Sequence, residues 1–322
     1  MRAKAAALLL SAPLLVGLVS VGGRPAGAGD GAKAAGVLPA RFFGASIGGL
    51  PSNLAPLGTL EAMVGRRTNV ANWYVDFTTP DFDAGAASAL SGRGTVPMIT
   101  WEPWDSSLAD PLSEPAYNLG TIIAGNWDHL LTTWATEIAA WGRPVLIRFA
   151  HEMNGNWYPW SEGVNGNTVG QYVQAWQHVH NLFAANGAGN VTWIWSPNTD
   201  YYGSTSLKEL YPGDSYVSQI GLDGYNWGTT QSWSTWQSAK QIFTATIADV
   251  RSFTSKPILL SEVASAEKGG SKATWVANFF SWLESTPAVT GFVWFEFNKE
   301  TDWRVVSSRA SEAAFVSALN GY

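Results

Sequence analysis

Val145-Leu146-Ile147-Arg148-Phe149-Ala150-His151-Glu152-Met153-Asn154 begins as an apolar, partly β-branched run and ends in a cluster of titratable and amide side chains. The first five residues read as a buried strand and the rest as the loop that leaves it. The same two-part pattern recurs along the chain. Candidate strands are Phe42–Ser46, Val70–Tyr74, Val96–Trp101, Val145–Phe149, Val191–Trp195, Gln219–Asp223, Ile258–Ser261 and Gly291–Phe295. Pro97, Pro144 and Pro257 stand at strand starts, where a missing N–H is tolerated. Between the strands the apolar spacing turns helical. In Ala116–Trp141 the residues Leu130, Leu131, Trp134 and Ile138 fall at helical spacing, and Tyr172–Ala185, Trp236–Phe253 and Ala273–Leu283 behave alike.

Eight strands alternating with helices predict the α/β class and, within it, a (β/α)8 TIM barrel. No Pro- or Ser-rich linker interrupts residues 40–322, so these are expected to form a single domain. An open, doubly wound sheet is the alternative, but such sheets usually carry GxGxxG after the first strand, and this chain has none. Ahead of the barrel, Arg2 and Lys4 precede an apolar run from Ala5 to Val21, and Ala26-Gly27-Ala28 offers a small-residue cleavage site. Residues 1–28 therefore read as a signal peptide and 29–39 as a disordered leader, which makes the expected protein secreted and free of stable membrane association once cleaved.

Composition removes several functional classes. The net charge is −6 and no run of Lys or Arg occurs, which disfavours a nucleic-acid partner. Without cysteine there is no disulfide, no Cys-based zinc site and no thiol nucleophile. The four His residues form no HExxH, so neither a metal nor another cofactor is expected. The chain is expected to work as a monomer. Its 18 Trp residues matter for their placement, because many follow predicted strands, where flat rings can stack on sugar faces.

In a barrel of this kind the chemistry sits on the loops after the strands. Those strand ends supply Asp76, Glu102, Glu152, Asp223, Glu262 and Glu296, with Glu300 and Asp302 just beyond the last strand. Glycoside hydrolysis needs two carboxyls, one to protonate the leaving oxygen and one to attack the anomeric carbon or activate water. Glu152 after the fourth strand and Glu262 after the seventh lie roughly across the mouth from one another. Strand alternation also sets Arg148 on the face of Glu152, so a cation is expected beside that glutamate. Periodicity alone does not rank this pair above the other carboxylates.

A resemblance does. Arg148-Phe149-Ala150-His151-Glu152-Met153-Asn154-Gly155-Asn156-Trp157-Tyr158-Pro159-Trp160 resembles the acid/base segment of glycoside hydrolase family 26, whose best known members are endo-β-mannanases. The similarity continues through Trp193–Asn198, Asp223-Gly224-Tyr225-Asn226, Glu262, Trp294-Phe295 and Lys299–Arg304. The resemblance implies a retaining mechanism with Glu152 as acid/base and Glu262 as nucleophile, the two carboxyls roughly 5–5.5 Å apart, and a raised pKa at Glu152. It further implies that His151 contacts the sugar being cleaved or the nucleophile, that Tyr225 donates to the nucleophile, and that Trp157 and Trp294 wall the cleft, with Trp160 a lesser candidate. Arg148, Asn154, Trp101 and Glu102 complete the expected substrate-binding set.

The expected substrate is β-1,4-mannan, with mixed-linkage β-1,3-1,4-glucan as the alternative. The alternative has support in the sequence. The early His-containing motif frequent in the mannanases is missing, and Trp101-Glu102-Pro103-Trp104 is similar to members acting on mixed-linkage glucan. Two other classes compete. Gly44-Ala45-Ser46-Ile47-Gly48 matches GxSxG, but turn residues rather than a helix follow it, against a serine hydrolase. A non-catalytic carbohydrate-binding barrel would need the two glutamates to be dispensable.

Overall fold

A computed structural model describes residues 38–322, so the expected signal peptide and nearly all of the expected leader lie outside the described residues. Eight parallel strands close into a barrel in chain order. They are β1 Phe42–Ile47, β2 Val70–Asp76, β3 Val96–Glu102, β4 Val145–Phe149, β5 Val191–Trp195, β6 Gln219–Asn226, β7 Ile258–Ser265 and β8 Val289–Glu296. The barrel shuts where β1 pairs with β8 over six residues, from Phe42 opposite Gly291 to Ile47 opposite Glu296. The helices are α1 Ala55–Val64, α2 Ala84–Ser91, α3 Leu119–Ile123, α4 Asp128–Trp141, α5 Gln171–Ala185, α6 Leu207–Leu210, α7 Ala239–Arg251, α8 Lys272–Glu284 and α9 Arg309–Gly321. Among the described residues no helix is long and apolar enough to cross a membrane.

Strand alternation divides the side chains between two cores. Phe42, Val70, Met98, Leu146, Ile194, Leu259 and Val293 point inward and plug the lower barrel. The alternate residues, among them Phe43, Ala71, Ile147, Leu260 and Phe292, point outward into a larger shell with the helices. Above the plug the inward positions turn polar: Ser46, Asn72, Thr100, Arg148, Ser196, Asp223 and Ser261 are all wholly buried. The lower barrel is thus oily and the upper barrel hydrogen-bonded, and only the upper end opens towards loops.

Two expected helices change shape. The stretch expected as one helix over 116–141 is broken into α3 and α4, because Gly125 adopts a left-handed φ of 81° between them. The helix expected from Trp236 begins at Ala239, where Ser238 and Gln241 cap each other reciprocally. Trp236 and Gln237 therefore belong to the loop after β6.

Candidate active site

A hydrogen-bonded belt crosses the upper barrel and ends on two carboxylates. Asn72 donates to Ser46 and accepts from Thr100, each at 2.8 Å, and Thr100 accepts from Arg148 Nε at 2.9 Å. Arg148 Nη1 then donates to Asp223 at 2.8 Å, and Nη2 donates to Glu262. Ser261 donates to the other oxygen of Asp223 at 2.6 Å. A buried guanidinium is tolerable only when its donors are matched this fully, and removing one partner would strand a charge.

Glu262 owes its direction to an irregularity. Leu222 pairs with Leu260, but the next residue, Asp223, pairs with Glu262, so β7 carries one extra residue at Ser261. The bulge turns both Ser261 and Glu262 into the barrel, where strict alternation would have sent Glu262 outward. There it accepts hydrogen bonds from three donors: Tyr74 at 2.7 Å, Tyr225 and Arg148.

Glu152 is aimed by strained backbone instead. Strand β4 ends at Phe149, and both Ala150 (φ 46°) and Glu152 (φ 52°) sit in the left-handed region that non-glycine residues avoid. Hydrogen bonds from Ala150 N to Trp101 O (3.0 Å) and from Glu152 N to Ser196 O (2.7 Å) hold the turn to both neighbouring strands. The carboxyl accepts from Asn198 Nδ2 and Trp157 Nε1, each at 2.7 Å. Gly155 makes room for the Trp157 ring, since a Cβ there would lie 2.6 Å from the indole.

Oxygens of Glu152, Asp223 and Glu262 lie within 4.8 Å of one another. Such a set could hold a metal ion, but Arg148 already bonds two of its members. Burial, and then the charge of Glu262, push the Glu152 carboxyl up to about 7, against the pull of the Asn198 and Trp157 donors and of the Arg148 charge. One buried carboxyl is thus poised to keep a proton while its neighbour is bound by a guanidinium and two phenols. Nearby, burial raises Glu102 to about 8 and holds the His151 imidazole well below its usual range, so both are neutral at pH 7. Their closest approach is 3.9 Å.

Several expected contacts are corrected by this geometry. Arg148 sits against Glu262 and Asp223 rather than against Glu152, because the strand and its alternation stop at Phe149, and each of its three nitrogens donates one hydrogen bond within the protein. Asn154 is buried and exchanges two 2.9 Å hydrogen bonds with Asn198, bracing that residue instead of facing the mouth. Trp101 and Trp294 are both fully buried and point outward. Trp101 stacks on Trp134 of α4 at 4.6 Å, and Trp294 meets Phe315 of α9 at 5.0 Å. Each follows an inward residue by one position, and the outer barrel face must bury large rings against the helices. Trp160 is buried as well, its Nε1 donating to the His151 carbonyl at 2.7 Å. His151 packs against the stacked pair of Tyr158 and Trp160, with ring centroids 4.8 and 5.7 Å away, and so does not make the expected contact with Glu262.

Trp157 and Tyr225 do converge on Glu152 and Glu262, while Glu102 is buried and accepts from Trp104 Nε1 at 3.2 Å. Three competing carboxylates are engaged elsewhere: Asp76 with Thr78 and with Ser106 of the loop after β3, Glu296 with the Val305 amide, and Asp302 with Arg304. Tyr74 and Asn198, neither among the expected site residues, hold Glu262 and Glu152 respectively. Tyr74 was accessible to the pattern, since it alternates with Val70 and Asn72 on the inward face of β2.

The loop after β8 completes the wall on the Glu262 side. Trp303 packs 5.0 Å from Tyr225 and edge-on to Trp227 at 4.8 Å. Its backbone is gripped by Lys272, the first residue of α8, whose ammonium donates to the carbonyls of Asp302 (3.3 Å), Trp303 (3.1 Å) and Arg304 (2.8 Å) and to Ser307 Oγ (2.9 Å). Lys272 is wholly buried, and that burial lowers its pKa to about 8.

A closed eight-stranded barrel presenting two converging carboxylates among aromatic rings defines the chain as a glycoside hydrolase. The model of glycosyl hydrolase family 26 matches residues 98–282, and the chain belongs to that family. Endoglucanase H of Acetivibrio thermocellus is 39% identical over 284 residues, covering 86% of this chain and 30% of its own. A mannan endo-1,4-beta-mannosidase of Bacillus subtilis is 33% identical over 94 residues, covering 28% of this chain and 25% of its own. The chain thus spans less than a third of either relative. Among solved structures, the GH26 domain of an endo-beta-mannanase/endo-beta-glucanase from Prevotella bryantii superposes with a TM-score of 0.64 at 14% identity, covering 87% of this chain and 88% of that one.

Proposed function

We infer that the protein is a retaining endo-β-glycanase in which Glu152 is the acid/base and Glu262 the nucleophile, with β-linked glucan as its substrate. The observation that carries this reading is the unequal setting of two carboxyls that approach within 4.8 Å. In the first step Glu152 passes its proton to the glycosidic oxygen while Glu262 attacks the anomeric carbon. Arg148, Tyr74 and Tyr225 hold Glu262 in line for that attack. Once ionised, Glu152 is stabilised by Asn198 and Trp157, and it then takes a proton from the water that releases the glycosyl-enzyme. A separation this short leaves no room for the intervening water that inversion requires, which favours retention.

Glucan is preferred because the similarity to Endoglucanase H runs along 86% of the chain. A β-1,4-mannan substrate is the second reading, supported by the 33% identity to a mannan endo-1,4-beta-mannosidase over the shorter stretch. Export is part of the proposal, resting on the Arg2 and Lys4 start and the apolar run behind them. A reducing-end assay on barley β-glucan, cellulose derivatives, mannan and xylan tests the substrate, and proton NMR of the first product tests the stereochemistry. Retention, with at least a thousandfold loss in both Glu152→Gln and Glu262→Gln on unactivated substrate, is expected from about 4 kcal/mol of lost transition-state stabilisation. An inverted first product, or full activity in either variant, would overturn the assignment.

A further inference from the structure

Trp233, in the loop after β6, is the most exposed tryptophan of the barrel mouth at 56%. Large rings left in water at the tip of a mobile loop are unremarkable, but this loop is cross-braced throughout. Asn226 Oδ1 accepts from the amides of Gly228 (3.2 Å) and Gln237 (2.9 Å), closing its base. Ser234 Oγ donates to the Gly228 carbonyl at 2.8 Å, Thr230 Oγ1 to that of Trp227 at 2.7 Å, and Trp275 Nε1 to that of Gln237 at 2.7 Å. Thr229 N ties the loop to the Lys268 carbonyl at 3.0 Å. A rigid frame is holding an apolar ring out into water.

The ring also continues an existing wall. Trp233 lies 5.4 Å from Trp227, which lies 6.1 Å from Tyr225, whose hydroxyl bonds Glu262. The aromatic surface therefore runs without a break from the carboxylates to the rim. A pyranose carries an apolar C–H face that such a ring covers, and an aromatic presented this way adds contact at little entropic cost. We propose that Trp233 is a stacking platform for a pyranose of the β-linked chain, at a subsite beyond the sugar held between Glu152 and Glu262, so that it selects for long chains and not for the bond cleaved. The proposal rests on the glycanase reading above.

The test compares wild type with Trp233→Ala and Trp233→Phe on two kinds of substrate. One is a nitrophenyl β-glycoside of a single sugar, which fills the position at the carboxylates alone. The other is a hexasaccharide, presented as cello-, manno- and mixed-linkage gluco-oligosaccharide. Trp233→Ala is expected to lower kcat/KM on the hexasaccharide roughly tenfold, the scale of one lost aromatic contact. The loss should come through KM, leave the nitrophenyl glycoside unchanged and be largely recovered in Trp233→Phe. An equal loss on both substrates would mean a structural role, and no loss on either would mean that Trp233 touches no sugar; both outcomes overturn the platform. Calorimetric binding of the same hexasaccharides to wild type and Trp233→Ala separates the two claims. Binding weakened by the substitution, in a protein that cleaves nothing, would keep the platform and sink the glycanase reading. Failure to bind any of them would sink both.

Discussion

The proton on Glu152 is the most consequential single feature of the site, and it makes two predictions. An acid that must arrive protonated loses its function as pH rises through its own pKa, so kcat/KM is expected to fall as pH rises through about 7. Asn198 favours the ionised form by donating to Glu152, so Asn198→Ala should move that limb to higher pH. A limb that stays in place in the pH–rate profile would assign it to another group. The second prediction concerns stability. The folded protein keeps this proton up to about 7, whereas an ordinary glutamate releases it near 4.5, so the folded state is increasingly penalised as pH rises between those values. Glu152→Gln should therefore raise the unfolding free energy by about 3 kcal/mol at about pH 8 and by nothing at about pH 4. Urea midpoints at the two pH values check this, and an equal gain at both would remove the proton from the explanation. Glu152 was legible in the sequence as a strand end, whereas Glu262, expected just past a strand closing at Ser261, lies within β7, which runs on to Ser265. The partner of Arg148 was not legible, because it depends on where alternation stops, and residue type does not reveal that.

At the scale of elements, the turn leaving β4 stores strain that a short substitution can expose. Ala150 holds a left-handed φ of 46° while fully buried. Ala150→Gly would relieve a backbone cost of about 1–2 kcal/mol while losing a buried methyl and restoring chain entropy, so the net change is expected within about 0.5 kcal/mol of zero. Ala71→Gly on the outward face of β2 has no strain to relieve and should cost about 1–2 kcal/mol. Comparable losses in chemical denaturation would argue against strain at residue 150. All eight strands were legible, since β-branched runs ending in polar clusters are a local signal. The β7 bulge was not, because an extra residue shows only against its neighbour's register. The helices α1, α2, α6 and α9 also escaped explicit placement. The eight residues of α2 bury only Ala87 and Leu90, too few apolar side chains to mark a face. The tryptophans divide on the same ground. Trp101 and Trp294 could have been turned outward by counting from Glu102 and Val293, whereas the bearing of Trp157 depends on a loop with no period.

For the whole molecule, the β1–β8 seam closes the barrel, and one position tests how tightly it is packed. Gly291 pairs with Phe42 across the β1–β8 seam, and a Cβ there would lie 2.3 Å from the Phe42 ring. Phe42 belongs to the lower plug, which touches residues from most of the other strands, so it has little freedom to give way. Gly291→Ala is expected to destabilise the protein by about 1–3 kcal/mol through overpacking, read as a lower urea midpoint with unchanged slope. An unchanged midpoint would show that the seam is looser than its packing indicates. Plug and chemistry occupy opposite ends of the barrel, so a variant that survives this substitution should keep its KM.

The grip of Lys272 on the loop that carries Trp303 has a wider consequence. Three successive carbonyls and a hydroxyl converging on one positive charge form the kind of nest a dissolved cation would otherwise occupy. Here the charge arrives on a covalent stem from α8 and cannot be exchanged, diluted or sequestered. That segment of the cleft wall is therefore indifferent to chelators and to the ionic make-up of the surroundings, and its weak point is moved to alkali, where the ammonium gives up its proton.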